Sequence, residues 1–280
     1  MSSLHDFLYA AADLLMPRSC LVCGTRLGLQ ERHLCLSCAA DLPFTRHWLQ
    51  AHNPLADRFN AVLERHRGDE PMDYAYAAAL LFYKGDYRRI PQAVKYRGDL
   101  AAGRWFGSML GRRLAAAPPF ADVDLVIPVP LHWTRRWRRG YNQAEILAKA
   151  VAEAFSPTAG NAVPVVCRTG LLVRSRRTRT QTRLDVEQKA RNVEAAFRVP
   201  ERAVRILSSA RHILLIDDTF TTGATLYACY AALRPFTSAR ISVATLAAVE
   251  GTPSLPHELP SGPALSPSAP AGTREPTKTI

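Results

Sequence analysis

The chain has 280 residues, 48% hydrophobic and 21% charged, enough for one large domain or two smaller ones built on a real core. Its formal charge of +12 favours anionic partners, whether polymer, membrane surface or phosphorylated small molecule, because a field of that sign concentrates anions near the surface. No window approaches the roughly twenty apolar residues of a membrane-spanning helix, so no membrane insertion is expected.

Residues 4–16 are apolar but interrupted by Asp6 and Asp13, with no basic segment before them. That lacks the layout of a secretion signal and reads as an amphipathic helix of a cytoplasmic protein. Cys20 and Cys23 form one C-x-x-C pair and Cys35 and Cys38 a second, with residues 24–34 between them. Two such knuckles bring four thiolates to one tetrahedral Zn²⁺, and Gly24 permits the tight turn that aims the sulfurs. With all four ligands from protein, the metal would be structural; the competing readings are free thiols in a reduced cytoplasm and an iron–sulfur cluster. Cys167 and Cys229 read as core residues.

The domain reading follows: residues 1–45 as an N-terminal helix and zinc module, 46–73 as a poorly patterned linker, 74–250 as an α/β domain, and 251–280, rich in Pro, Ser, Gly and Thr, as a disordered tail. Within the large block, 75–83, 124–130, 163–166, 213–216 and 241–249 have strand content. Residues 99–117 place Leu100, Phe106, Met109, Leu110 and Leu114 near one helical face, and 142–155 form a helix with Asn142 as N-cap. Alternating strands and helices predict a mostly parallel sheet flanked by helices.

One stretch of this block carries chemistry. Residues 213–225, ILLIDDTFTTGAT, run from an apolar strand into Asp217 and Asp218 and then a hydroxyl-rich turn. At the carboxyl end of a parallel strand, adjacent carboxylates can accept hydrogen bonds from vicinal ribose hydroxyls or hold a hydrated divalent cation. Thr221, Thr222, Gly223, Ala224 and Thr225 then open a helix whose free N–H groups form a phosphate cup. No lysine follows Gly223 as a Walker A loop requires, and G-x-G-x-x-G is missing, which disfavours nucleotide triphosphatase and dinucleotide folds.

This run resembles the phosphoribosyl-pyrophosphate (PRPP) motif of type I phosphoribosyltransferases. The resemblance implies that Asp217 and Asp218 contact the ribose hydroxyls and that residues 221–225 grip the 5′-phosphate, with Mg²⁺ accompanying PRPP. Thr219 departs from the pattern, standing where an aliphatic residue is usual. Residues 127–148, 177–199 and 93–99, the last with a lysine–aromatic pair, are similar to segments of the ComF/GntX branch, competence-associated proteins that join a cysteine knuckle to a phosphoribosyltransferase-like domain.

Arg135, Arg136, Arg138 and Arg139 follow the second strand, and Arg179 and Arg183 lie in a basic, Thr- and Gln-rich stretch at 174–183. These could meet the pyrophosphate half of PRPP or form a solvated face. The stretch 174–183 suits a loop that closes over an anion. Trp133 and Trp137 could stack on bases or cover an apolar ledge, and Tyr141, Asn142 and Gln143 could orient the ligand. The histidines show neither metal spacing nor triad partners; only His33 stands near the cysteines. Two functions remain open. One is an enzyme in which a nucleophile displaces pyrophosphate from PRPP. The other, implied by the resemblance, is a non-catalytic module that grips single-stranded DNA and docks its zinc module on a partner such as a competence helicase.

Overall fold

Strands buried on both faces need near-continuous apolar sequence, and five such runs pair in parallel. They are β1 (Ala77–Phe82), β2 (Leu125–Pro128), β3 (Val166–Cys167), β6 (His212–Phe220) and β7 (Arg240–Ala248), in the order β1-β7-β6-β2-β3. A separate antiparallel pair joins β4 (Val173–Arg174) to β5 (Phe197–Arg198). The computed structural model describes residues 18–66, 73–96, 98–131, 134, 137, 140–155, 164–174 and 196–251. The expected helix at 4–16, the basic run through Arg135, Arg136, Arg138 and Arg139, the stretch holding Arg179 and Arg183, Trp133, and the tail from 252 onward lie outside them. All described elements fall within one unit, Met1–Glu250.

Two layers cover the sheet. One face packs α3 (Arg89–Tyr96), α4 (Leu100–Ala115) and α5 (Gln143–Ala154), through Val94, Phe106, Leu110, Leu147 and Val151, onto Leu80, Val126, Leu214, Ile216 and Leu246. The other packs α2 (Pro54–His66), α6 (Glu201–Ser209) and α7 (Ala224–Leu233), through Leu55, Phe59, Leu207, Leu226 and Cys229, onto Ala77, Ile127, Ile213, Leu215 and Val243. Period-2 alternation along β6 therefore sends Leu214 and Ile216 to α3–α5 and Ile213 and Leu215 to α2, α6 and α7, whereas Phe220 at the strand's end packs on the α2 side.

The stretch 46–73, expected as a linker, instead holds α2, whose Leu55, Ala56, Phe59, Asn60 and Leu63 are buried. Its termini are polar, and the apolar face emerges only at helical spacing. Asn53 supplies the start: its Oδ1 accepts from the N–H of Leu55 and Ala56, both at 3.0 Å, and its Nδ2 donates to the Ala77 carbonyl of β1. Residues 18–45 likewise share a core with the sheet. Val22, Leu34, Leu42 and Trp48 lie in the cluster formed by α3–α5, and Arg89 donates to the Val22 carbonyl at 2.8 Å.

The helices α4 and α5 approach closely because α4 presents Gly103, Gly107 and Gly111 at four-residue spacing. A Cβ on Gly107 would lie 2.9 Å from Ala150 Cβ and 3.0 Å from the Leu147 carbonyl oxygen; on Gly111 it would lie 2.7 Å from both Ala154 Cβ and the Val151 oxygen. We predict that Gly111→Ala destabilises the protein by about 1–2 kcal/mol, overpacking outweighing a helix-propensity gain of about 1 kcal/mol. Gly103→Ala, whose nearest neighbour is the side-chain Ile146 Cγ2 at 3.1 Å, should be close to neutral. Urea denaturation midpoints check both.

Candidate functional site

β6 outruns its neighbour. β2 stops at Pro128, paired with Ile216, whereas β6 continues to Phe220 beside β7, with Thr219 against Ala247 and Phe220 against Ala248. The acidic pair thus sits inside the strand, which ends four residues beyond the apolar run that stops at Ile216, and stands free of β2 on one side. The alternation of β6 then splits the pair between the two faces of the sheet.

Asp218 points toward α3 and α5. It is 5% exposed, and it is neutralised: Lys95 Nζ lies 2.7 Å from its Oδ1 and Gln143 Nε2 donates to its Oδ2 at 2.7 Å. Lys95 also donates to the Thr219 hydroxyl at 3.2 Å, so the residue that departs from the family pattern provides a second acceptor for the cation. Asp217 points the other way and is half-buried, its Oδ1 accepting from the Asp218 N–H at 2.8 Å. Burial, with the neighbouring Asp218 charge, pushes Asp217 up to about 7, while Lys95 and Arg174 pull it down. One carboxylate is therefore held by the protein and the other is available to titrate near neutrality.

The chain next turns into α7. Gly223 is the N-cap at φ 81, the left-handed region where glycine is unstrained, and a Cβ there would lie 2.9 Å from Phe220 Cζ. The helix begins at Ala224, so Thr221 and Thr222 belong to the turn and only Ala224 and Thr225 to the first helical turn. Thr221 and Thr222 are exposed. Free N–H groups at such a start favour an anion.

On the β2 side Asn142 caps α5, accepting from the Ala144 N–H at 3.2 Å, and donates to the Val129 carbonyl at 3.1 Å. That anchors the chain leaving β2 and sets Gln143 against Asp218. Tyr141 donates to the Val94 carbonyl. Tyr141, Asn142 and Gln143, read from sequence as orienting a ligand, thus orient the protein's own elements. Trp137 is 83% exposed. The contacts of Lys95 and Gln143 with Asp218 carry no local sequence signal, since they join positions 123 and 75 residues apart.

At the opposite, amino-terminal edge of the sheet, His212 corrects the reading that no histidine has triad partners. Its Nδ1 lies 2.6 Å from Asp122 Oδ1 and its Nε2 2.8 Å from Ser242 Oγ. His212 and Ser242 are both fully buried, which closes the serine to any substrate; the cluster ties β6 to β7 and the loop before β2.

The four cysteines converge. Their Sγ atoms all lie within 4.8 Å of one another, and Cys23 and Cys35 are 3.7 Å apart, close to the edge of about 3.8 Å of a tetrahedron with Zn–S bonds of about 2.3 Å. The donor set fits zinc. Gly24, at φ 76, makes the turn after Cys23, and Cys35 is the N-cap of α1 (Leu36–Ala40), which carries Cys38. The Thr25 hydroxyl, 3.2 Å from Cys23 Sγ, lowers that thiol to about 6, whereas burial and the other thiols raise Cys38. Among the described residues His33 is not part of the cluster; its ring lies 5.6 Å from that of Trp105. Cys229 is buried in α7, and Cys167 is half-buried on β3. Among the described residues no helix is long and apolar enough to cross a membrane.

Two predictions follow from these contacts. Lys95→Met leaves Asp218 buried without its cation and should cost about 3 kcal/mol, the lower end for a broken buried pair because Lys95 is 24% exposed; adding Asp218→Asn should recover most of the loss in urea melts. Elemental analysis should find one zinc per chain. Because the cysteine module shares its core with α3–α5, chelation should lower the melting temperature of the α/β unit as well, and a melt unchanged by chelation would contradict this.

No family model matches the chain. Competence protein F of Haemophilus influenzae is 34% identical over 104 residues, 37% of this chain and 41% of that protein. The DNA utilization protein YhgH of Escherichia coli O6:H1 is 32% identical over 105 residues, 37% of this chain and 40% of that protein. YhgH of Salmonella typhi is 33% identical over 103 residues, with the same shares of 37% and 40%. The chain thus spans well under half the length of the curated relatives it matches. On that stretch the chain is similar to these competence and DNA utilization proteins.

Proposed function

We propose that the crevice at the carboxyl end of β6 binds a phosphorylated ribose, PRPP with Mg²⁺, in a protein that serves DNA uptake. The observation that carries this reading is the overhang of β6 beyond β2, which leads from Asp217 through Gly223 to the start of α7. The names of the relatives support the link to competence and DNA utilization. In this reading Asp217 accepts the ribose hydroxyls, and residues 221–225 hold the 5′-phosphate through backbone N–H groups and the threonine hydroxyls. Asp218 does its work through Lys95 and Gln143, holding α3 and α5 against the strand, and meets the ligand only where Lys95 gives way.

Transfer would break the bond between the anomeric carbon and pyrophosphate as a nucleophile bonds to that carbon. The protein's part is to align the two and to stabilise the departing charge. Mg²⁺ would neutralise the pyrophosphate, and Arg135, Arg136, Arg138, Arg139, Arg179 and Arg183 are the proposed donors to it.

A second reading rests on the exposed Trp137 and the charge of +12: the same crevice and its basic rim grip single-stranded DNA, while the zinc module docks on a helicase. Salt separates the two, because oligonucleotide affinity falls steeply as counterions are released.

Calorimetry with Mg·PRPP and with an oligonucleotide tests both. A PRPP isotherm abolished by Asp217→Asn is expected, and no PRPP binding by the unaltered protein ends the ribose-phosphate reading. Since Asp217 stands near 7 and its ionised form is the stronger acceptor from hydroxyls and the form that attracts a cation, PRPP affinity should be weaker at pH 6 than at pH 8, by up to about tenfold. Affinity that does not vary across that range removes Asp217 from the contact.

A further inference from the structure

We infer that Arg58, on α2, is a positioning residue for the phosphate turn between β6 and α7. Its guanidinium donates to the Thr221 carbonyl at 2.8 Å and to the Val249 carbonyl at 2.6 Å. It also lies 5.3 Å from the centre of the Phe220 ring, the same ring that fills the space a Gly223 side chain would need. One side chain therefore grips the turn, the residue before it and the end of the neighbouring strand, where the Val249 N–H in turn donates to the Phe220 carbonyl at 3.0 Å.

The consequence for an anion follows from peptide geometry. In a trans peptide the carbonyl of one residue and the N–H of the next point in opposite directions. Holding the Thr221 oxygen toward α2 therefore holds the Thr222 N–H away from α2. Were that peptide to rotate, a carbonyl oxygen would replace an N–H on the side facing the ligand, and a phosphate would meet a partial negative charge. Glycine at 223 makes the turn permissive, so it needs an external restraint, and a fork with two carbonyls in reach is suited to that role. Arg58 comes from the stretch whose sequence reads as a linker, 163 residues from Thr221.

The inference rests on the phosphate reading of the turn. The probe is ribose 5-phosphate, measured by calorimetry on the full chain with Arg58→Met, Arg58→Lys and Tyr74→Phe. Tyr74 donates to Asp57 of α2 at 2.6 Å, so its loss loosens the same helix without touching the turn. Arg58→Met should weaken ribose 5-phosphate binding at least tenfold, and Arg58→Lys, with a point charge in place of the fork, should fall between it and the unaltered protein. Tyr74→Phe should lower the melting temperature and leave the affinity unchanged. Binding by Arg58→Met within twofold of the unaltered protein, or an equal loss in Tyr74→Phe, overturns the inference. An unaltered protein that binds no ribose 5-phosphate removes the reading beneath it, and the inference falls for that separate reason.

Discussion

A carboxylate as buried as Asp218 can persist in ionised form only with a cation and a donor in contact, because desolvation of an unpaired charge costs several kcal/mol. Lys95 at the end of α3 and Gln143 at the start of α5 meet that requirement. The contact is thus more than a local ion pair. It draws the ends of two helices onto the part of β6 that extends past β2.

The other face of β6 is held by different means. Ile213 and Leu215 of β6 face α2 and α7, and on that side the Asp217 carboxylate accepts from its neighbour's backbone N–H. Beyond it, the turn is held from α2 by Arg58 and packed from within by Phe220. Two adjacent acids of the same chemistry therefore acquire different surroundings from strand alternation alone. One is bound into the framework, and the other remains poised to exchange a proton or accept a ligand.

Polar groups gather at both ends of the sheet with opposite outcomes. The carboxyl end keeps an exposed turn and a half-buried acid. At the amino end, His212 and Ser242 are fully buried, while Asp122, which His212 contacts, is exposed, and the Arg240 guanidinium lies 5.0 Å from the Tyr76 ring. The difference is access rather than residue type. On the α3–α5 face, the cysteine module adds its own apolar residues to the core, so the four-cysteine cluster and the packing of the sheet are coupled through shared side chains.

The mostly parallel sheet, the helix over α5 with its Asn142 cap, and the convergence of Cys20, Cys23, Cys35 and Cys38 were legible in the sequence, because each depends on spacing within a few residues: apolar runs, a cap at a helix start, a paired knuckle. Asp217, Asp218 and the turn to Thr225 were legible as a group for the same reason. What they do individually was decided only by tertiary structure. Whether a carboxylate is open or neutralised depends on how far β2 extends beside β6 and on which helix brings Lys95 and Gln143 to it. The role of α2 was hidden similarly, since Arg58 acts on a turn 163 residues away. Local pattern specifies elements and motifs; the partners of a buried charge are set by packing between elements distant in the chain, which no short window of sequence contains.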